Sequence, residues 1–251
     1  MTLTASPPPP VGRVDRSGRP HRSDRRVAFG RGVLLFAAKD LRIELGSKVA
    51  TQQVLPFAGV VLLMFAFASD PDATSLRTVA PGMFWTAVLL AAVLAASRSA
   101  RIEVENGALS ATRMSPVEPG AAFLGKVLAV AAELVALEVV LLLGLVAVYG
   151  YDVRHPFILL ASALAASVGI ASAGMLYATL AGSLQMRDTL LPLLMLPALA
   201  PVALGGSRAW TAAALAGPGD GLRWVQLLTV FACLFTTCGA AAYGALIEEA
   251  L

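Results

Sequence analysis

Two glutamates interrupt an otherwise apolar stretch of the chain. Glu133 and Glu138 lie in LGKVLAVAAELVALEVVLLLGLVAVY, where a carboxylate costs about 2.5–3.5 kcal/mol if the stretch crosses a bilayer. Glu138 is twelve residues past Lys126, which is about 18 Å along a helix and therefore near mid-membrane. A carboxyl group there is expected to face other helices or a cavity. Two interpretations stay open for Glu138: a structural hydrogen bond, or a contact with substrate or another subunit.

A second group of polar residues separates two apolar stretches. RIEVENGALSATRMSPVEPGAAFLGK runs from Arg101 to Lys126. Its first part favours a short helix, and Ser115 and Pro116 would end that helix. The segment has too few apolar residues to form a domain core, so we predict a docking surface for another protein.

The end of this segment contains an incomplete match to a nucleotide-binding motif. Gly120, Gly125 and Lys126 spell GxxxxGK, the beginning of a phosphate-binding loop. The next residue is Val127 instead of Ser or Thr, so the hydroxyl that binds magnesium is missing. An apolar stretch follows directly, and no strand precedes it. We therefore predict no nucleotide binding by this chain, and no catalytic set is visible that would make it an enzyme.

The elements that position these residues follow from composition. Of 251 residues, 57% are hydrophobic and 14% are charged, and the mean hydropathy is +0.75, which indicates that lipid surrounds most of the chain. The sequence predicts an all-α integral membrane protein. Its apolar stretches are long enough for six transmembrane helices, at about 49–68, 79–97, 124–149, 157–181, 189–206 and 224–247.

Two of the predicted elements are unusual. The fifth span contains Pro192, Pro197 and Pro201, so it is either a kinked span within the bundle or a re-entrant, pathway-lining element. Residues 30–47 precede the first span and predict an amphipathic helix in the membrane interface. Its expected apolar face holds Leu34, Ala38, Leu41 and Leu45.

Charge predicts the orientation. Nine Lys and Arg residues flank one side of the spans, while the other side has four: Arg77, Arg154, Arg208 and Arg223. The nine-residue side holds both termini, so we expect it to be cytoplasmic. Residues 1–29 are rich in Arg and Pro and predict a disordered tail, ahead of a membrane domain at 30–251. Because the excess of positive charge lies in that tail and not on a folded face, nucleic-acid binding is not predicted.

Several single residues have simple expected roles. Three tryptophans, at positions 85, 210 and 224, stand at predicted span ends and are expected to be interfacial anchors. Cys233 and Cys238 are five residues apart, about 140° apart on a helix, so we expect two unbridged core residues. His155 is expected to be solvated in a loop.

The block from Val79 to Lys126 resembles the B subunit of the cytochrome c maturation haem exporter, the CcmB family. The resemblance rests on APG at 80–82 with Trp85 one turn later, and then on positions in the polar segment. The Pro-rich stretch 190–201 is similar to the family's fifth span, and the likeness extends over residues 30 to 247. The matching positions of the polar segment are Arg101, Glu105, Gly107, Leu109, Ser115, Pro116, Gly125 and Lys126.

This resemblance implies an ABC-2 exporter-type permease in the bacterial inner membrane. The expected partners are a CcmA-like ABC ATPase, which would hold the ATP, CcmC-like and CcmD-like membrane subunits, and a CcmE-like haem chaperone, with two permease copies per complex. In that picture the segment from Arg101 to Pro116, including Glu103, is the coupling helix for the ATPase. Haem is the expected cargo, or the complex drives release of the haem-loaded chaperone.

Other functions stay open. An exporter permease for a different substrate, such as a lipid or drug, would have the same composition. A membrane scaffold in haem-protein assembly would need no coupled ATPase. A membrane-embedded enzyme is the weakest alternative, because the sequence has no recognisable catalytic set.

Overall fold

The computed structural model describes residues 29–47, 50–69, 73–105, 117–181, 187–215 and 218–249. Within these ranges the chain is helical, with no β-strand, which confirms the all-α prediction. All of the predicted tail except Phe29 lies outside them. The described residues form seven α-helices: α1 (Phe29–Ser47), α2 (Leu55–Ala68, after a π-helical turn at Ala50–Val54), α3 (Ala73–Glu105), α4 (Pro119–Tyr149), α5 (Pro156–Ala181), α6 (Arg187–Leu215) and α7 (Pro218–Glu249).

Five of these described helices are long and apolar enough to cross a membrane. The first predicted span is shorter, because its apolar helical part is Gln52–Ala68, about 25 Å long against a hydrocarbon core of about 30 Å. The part of the chain that the structure describes thus has five full-length candidates and one short apolar helix. The five are Ser75–Ser97, Pro119–Tyr149, Pro156–Ala181, Leu191–Ala214 and Gly219–Leu246.

Helix α6 passes through its three prolines without a break. Its buried face holds Leu191, Met195, Leu199 and Val202, spaced by three or four residues, while Pro197 and Pro201 are on the exposed side. Of the two interpretations of this segment, the span within the bundle agrees with this helix, which packs against α3, α5 and α7. The helix extends beyond the predicted end of the fifth span at residue 206, because an Ala-rich, helix-favouring stretch continues α6 to Leu215.

Helix α5 lies at the centre of the bundle and packs against α3, α4, α6 and α7. Small residues dominate its middle, in ALAASVGIASAG at 163–174, so neighbouring helices can approach closely. The outer surface is formed partly by α7, where both cysteines are free and exposed. The prediction that Cys233 and Cys238 are core residues is therefore wrong, since the apolar face of a membrane helix can also face lipid.

The face of α1 that contacts the bundle is not the predicted leucine face. Helix α1 packs along α4, where a Cβ on Gly125 would lie 2.5 Å from Phe36 Cβ and 2.7 Å from the Val33 carbonyl oxygen. Leu34 and Leu35 remain 65% and 54% exposed. Small residues determine which face of α1 packs on α4, because they allow the two helix backbones to approach closely.

The contact between α1 and α4 can be tested with a designed disulfide. A Cβ on Gly32 would lie 4.0 Å from Val117 Cβ, within the 3.5–4.5 Å span of disulfide Cβ pairs. In a background with both native cysteines changed to Ala, we expect Gly32→Cys/Val117→Cys to close a disulfide on mild oxidation. Mass spectrometry of proteolytic fragments measures the linked peptides. The matched control pairs Val117→Cys with Gly30→Cys, since Gly30 has no neighbour within 4 Å; equal linking in both pairs contradicts the packing.

Candidate functional site

Glu138 of α4 is buried inside the bundle. Its residue surface is 3% exposed, and its Oε1 accepts a hydrogen bond from the Ser167 hydroxyl of α5, at 3.0 Å. The other oxygen, Oε2, is buried without a hydrogen-bond partner among the described residues. Glu133, one turn closer to the start of α4, is half-buried and interacts with another group. The structure therefore places a half-satisfied carboxyl group between two spanning helices.

Ser167 belongs to a series of three buried serines on α5 that sequence reasoning missed. Ser162 Oγ accepts a hydrogen bond from Trp210 Nε1 of α6 at 2.9 Å, and Ser172 shares one with Thr236 of α7 at 2.7 Å. Spaced by five residues, successive serines turn about 140° around the helix, so each meets a different neighbour. The signal in the sequence was three serines at this spacing within a helix of small residues, where hydroxyl groups link helices.

One end of the bundle, which we name the α1 end, holds α1, the beginning of α4 and the ends of α3 and α7. Lys126 lies there, two turns into α4, and is 5% exposed. It interacts with a neighbouring group. Gly120 packs at this end against the backbone of α7, where an added Cβ would meet the Ala240 carbonyl oxygen at 3.2 Å. The GxxxxGK pattern is thus part of a helix packed between α1 and α7.

The predicted coupling segment starts at the same end. Arg101, Glu103 and Glu105 continue α3 beyond its spanning part, so the expected separate helix begins as an extension of the second span. The remaining predicted residues, Gly107, Leu109, Ser115 and Pro116, lie outside the described residues. Their role stays a prediction.

An aromatic cluster occupies the opposite end of the bundle. Phe84 stacks on Trp210 with ring centroids 4.3 Å apart, and Trp85 lies edge-on to Trp210 at 5.7 Å. Trp85 and Trp210 are 1% and 2% exposed, so their prediction as interfacial anchors is wrong, and only Trp224 is partly exposed. They are buried because helix α6 continues past them and because Gly206 leaves room for the Trp85 ring.

Tyr151 connects the α4–α5 loop to this aromatic cluster by a hydrogen bond. Its hydroxyl donates to the Trp210 carbonyl oxygen at 2.9 Å, and burial, followed by the charge of Asp152, raises the pKa of Tyr151 well above its usual value. The neutral hydroxyl thus remains a donor throughout the physiological range. His155, in the same loop, accepts backbone hydrogen bonds from Ile158 and Leu159 at its carbonyl oxygen. No cluster of metal-ligating side chains occurs among the described residues.

These features define a class of protein: a multi-pass, all-helical integral membrane protein whose buried polar groups link spanning helices. Within that class the chain belongs to the CcmB protein family, whose profile matches residues 32–249. The match begins in α1 and ends with the last residue of α7, so it covers the whole described bundle. This confirms the resemblance inferred from the sequence.

Individual relatives agree with the family. Heme exporter protein B of Pseudomonas aeruginosa is 31% identical over 215 residues, which cover 83% of this chain and 94% of that protein. The protein of the same name from Bradyrhizobium diazoefficiens is 32% identical over 167 residues, covering 66% and 73%. The match to Escherichia coli heme exporter protein B is 30% identical over 90 residues, covering 36% and 41%.

Proposed function

We propose that this chain is the permease subunit of an ABC-2-type exporter used in cytochrome c maturation. The observation that carries this proposal is the family match over the entire helical bundle. The name shared by the relatives supports haem as the cargo, although driving the release of a haem-loaded chaperone would use the same parts. The chain itself would bind no nucleotide and catalyse no reaction.

The topology follows from the same proposal. The short apolar helix at Gln52–Ala68 would be the first of six spans, and α1 would lie in the interface on the cytoplasmic side of the inner membrane. Three sides of α1 would face three different environments: the bundle, lipid and water. Gly32, Phe36 and Ala37 face the bundle, Leu34 would face lipid, and the cations would face water. The exposed cations of α1 are Arg31, Lys39 and Arg42.

Coupling to an ATPase would supply the helix movement that opens a passage through the bundle. A cavity between α3, α4, α5 and α6 has a volume of only about 20 Å³ and is lined by apolar residues such as Ala92, Gly174 and Met195. Pockets that hold organic ligands have volumes of about 300–1,000 Å³, so a passage for haem through this region needs the helices to separate. ATP hydrolysis by a CcmA-like partner would drive that movement through the extension of α3 and the segment after it. CcmC-like, CcmD-like and CcmE-like proteins complete the proposed complex, with two permease copies.

The experiment is reconstitution with the candidate ATPase. We expect wild type to bind the ATPase and stimulate ATP hydrolysis. Glu105→Lys and Gly107→Asp should lower the stimulated rate at subsaturating ATPase by more than about tenfold, because the first reverses a charge and the second buries an unpaired charge at the proposed interface. Co-purification and phosphate release measure the two effects. Asp152→Lys, an equal charge reversal in the exposed loop at the opposite end, is the matched control. Wild type that binds no ATPase would favour a scaffold over a transporter.

A further inference from the structure

A groove of about 600 Å³ opens between the end of α6 and the beginning of α7. From α6 it is lined by positions i, i+3 and i+4, and from α7 by positions i, i+3, i+4 and i+7, so one face of each helix forms each wall. The lining residues are Arg208, Thr211 and Ala212 on α6, and Asp220, Arg223, Trp224 and Leu227 on α7.

Close helix contacts form the floor and the inner side of this groove. Deeper in the bundle, a Cβ on Gly205 would meet Leu228 Cδ2 at 3.1 Å. On the inner side, a Cβ on Gly221 would meet Ile158 of α5 at 3.0 Å and the Ala209 carbonyl oxygen at 3.5 Å. The groove therefore opens away from α5, at the end of the bundle opposite α1.

The polar lining is cationic. The lining contains two arginines and one acid, Asp220, whose Oδ1 lies 3.7 Å from Arg223 Nη1. Both partners of that pair are largely exposed, at 83% and 61% of their side chains, so the pair contributes little and is easily exchanged for another anion. Arginine is also the side chain whose planar, forked geometry suits carboxylate and phosphate groups.

The apolar lining lies beside these cations. Trp224 is partly buried and offers a flat ring, and Leu227 is 44% exposed next to it. A ligand that pairs with the arginines and also covers the apolar side chains has an acidic head and an apolar body. The volume of the groove is within the range of pockets that hold such molecules, about 300–1,000 Å³.

We propose that this groove binds an amphipathic anion, with Arg208 and Arg223 pairing with its acidic head and Trp224 and Leu227 covering its apolar body. Two sources offer this chemistry: the carboxylates and macrocycle of haem, and the phosphate and acyl chains of an anionic phospholipid. Haem as the occupant rests on the proposed function, whereas the lipid does not.

The test uses the full chain in nanodiscs and has two arms. In phosphatidylcholine nanodiscs, haemin is titrated and followed by the Soret difference spectrum against empty discs. In the second arm, phosphatidylglycerol is added to the discs, and the lipid retained by the protein after detergent extraction is counted by mass spectrometry. We expect the Arg208→Gln/Arg223→Gln variant either to raise the Kd for haemin or to lower the amount of retained phosphatidylglycerol at least about tenfold, since it removes both charged hydrogen-bond donors for the acidic head.

The matched control is Arg77→Gln/Arg154→Gln. It removes the same two charges at the same end of the bundle, from residues that do not line the groove, and should change the Kd less than about twofold. Arginine-dependent binding in one arm supports the proposal and identifies the source. Equal binding by the groove variant and the control in both arms overturns it. Because neither arm contains an ATPase or ATP, a failure here is distinct from a failure of ATPase coupling.

Discussion

Replacing Gly206 with Ala is expected to destabilise the bundle strongly, although Ala is the better helix former. A Cβ at this position would lie 2.5 Å from Trp85 Cδ2 and 2.7 Å from Trp85 Cζ2. The ring cannot move freely, because Phe84 and Trp210 pack around it. Overpacking of this kind costs about 1–3 kcal/mol, which exceeds the gain of about 0.5–1 kcal/mol from Gly to Ala in a helix. We therefore expect a lower Tm in detergent, measured by the tryptophan fluorescence of the buried cluster.

The matched control is a Gly→Ala change that should not lower the Tm. Gly59 of α2 has no atom within 4 Å of an added Cβ, so Gly59→Ala keeps the helix-propensity gain without a clash and should leave the Tm unchanged or slightly higher. Gly239→Ala provides an independent repeat at the α1 end, where the added Cβ would overlap the Phe123 ring. Equal Tm values for Gly206→Ala and Gly59→Ala would show that the Trp85 ring does not lie against α6.

Hydropathy predicted the existence of the spanning helices better than their ends. The centres of the five long spans agree with the structure, because a run of about 20 apolar residues can only be satisfied by lipid or by a core. The ends were missed where a helix continues through residues of lower hydropathy. Helix α3 extends to Glu105 through charged residues, and α6 extends to Leu215 through an Ala-rich stretch. The residues at these two helix ends still favour a helix, although their hydropathy is too low to predict a span.

The contacts between helices were less predictable, because they depend on pairs of distant residues. Trp85 looks like an interfacial anchor until Gly206, far along the chain, is known to face it. The packed face of α1 is centred on Gly32 and Ala37, which rank below leucine on any hydropathy scale. Contacts between helices select small size over hydrophobicity, so a periodicity analysis that weights leucine finds the exposed side of α1.

The environment of Glu138 shows the same limit. The sequence placed a carboxyl group near mid-membrane and required it to avoid lipid, and the side chain is indeed buried. Its partner, Ser167, is 29 residues away on the next helix, and nothing local selects it from the other serines of α5.

Removing Ser167 is expected to destabilise the bundle more than removing the glutamate itself. Ser167→Ala leaves Glu138 with neither oxygen hydrogen-bonded among the described residues, and stranding a buried polar group costs about 1–2 kcal/mol in a membrane protein. Glu138→Met removes the half-satisfied carboxyl while nearly keeping its volume, so its expected cost is close to zero. The Tm of the purified variants measures both effects.

The double variant, Glu138→Met with Ser167→Ala, decides whether the two effects share one cause. If the cost of Ser167→Ala comes from the stranded carboxyl, the double variant should regain the Tm of Glu138→Met, since the group that lacked a partner is gone. Ser172→Ala is the matched control, because its partner Thr236 keeps a hydroxyl that can bond to a carbonyl of its own helix, and its expected cost is about 0.6 kcal/mol or less. Additive losses in the double variant would mean that Ser167 stabilises the bundle by packing alone. A large loss in Glu138→Met would instead mean that the carboxyl group makes a stabilising contact besides Ser167.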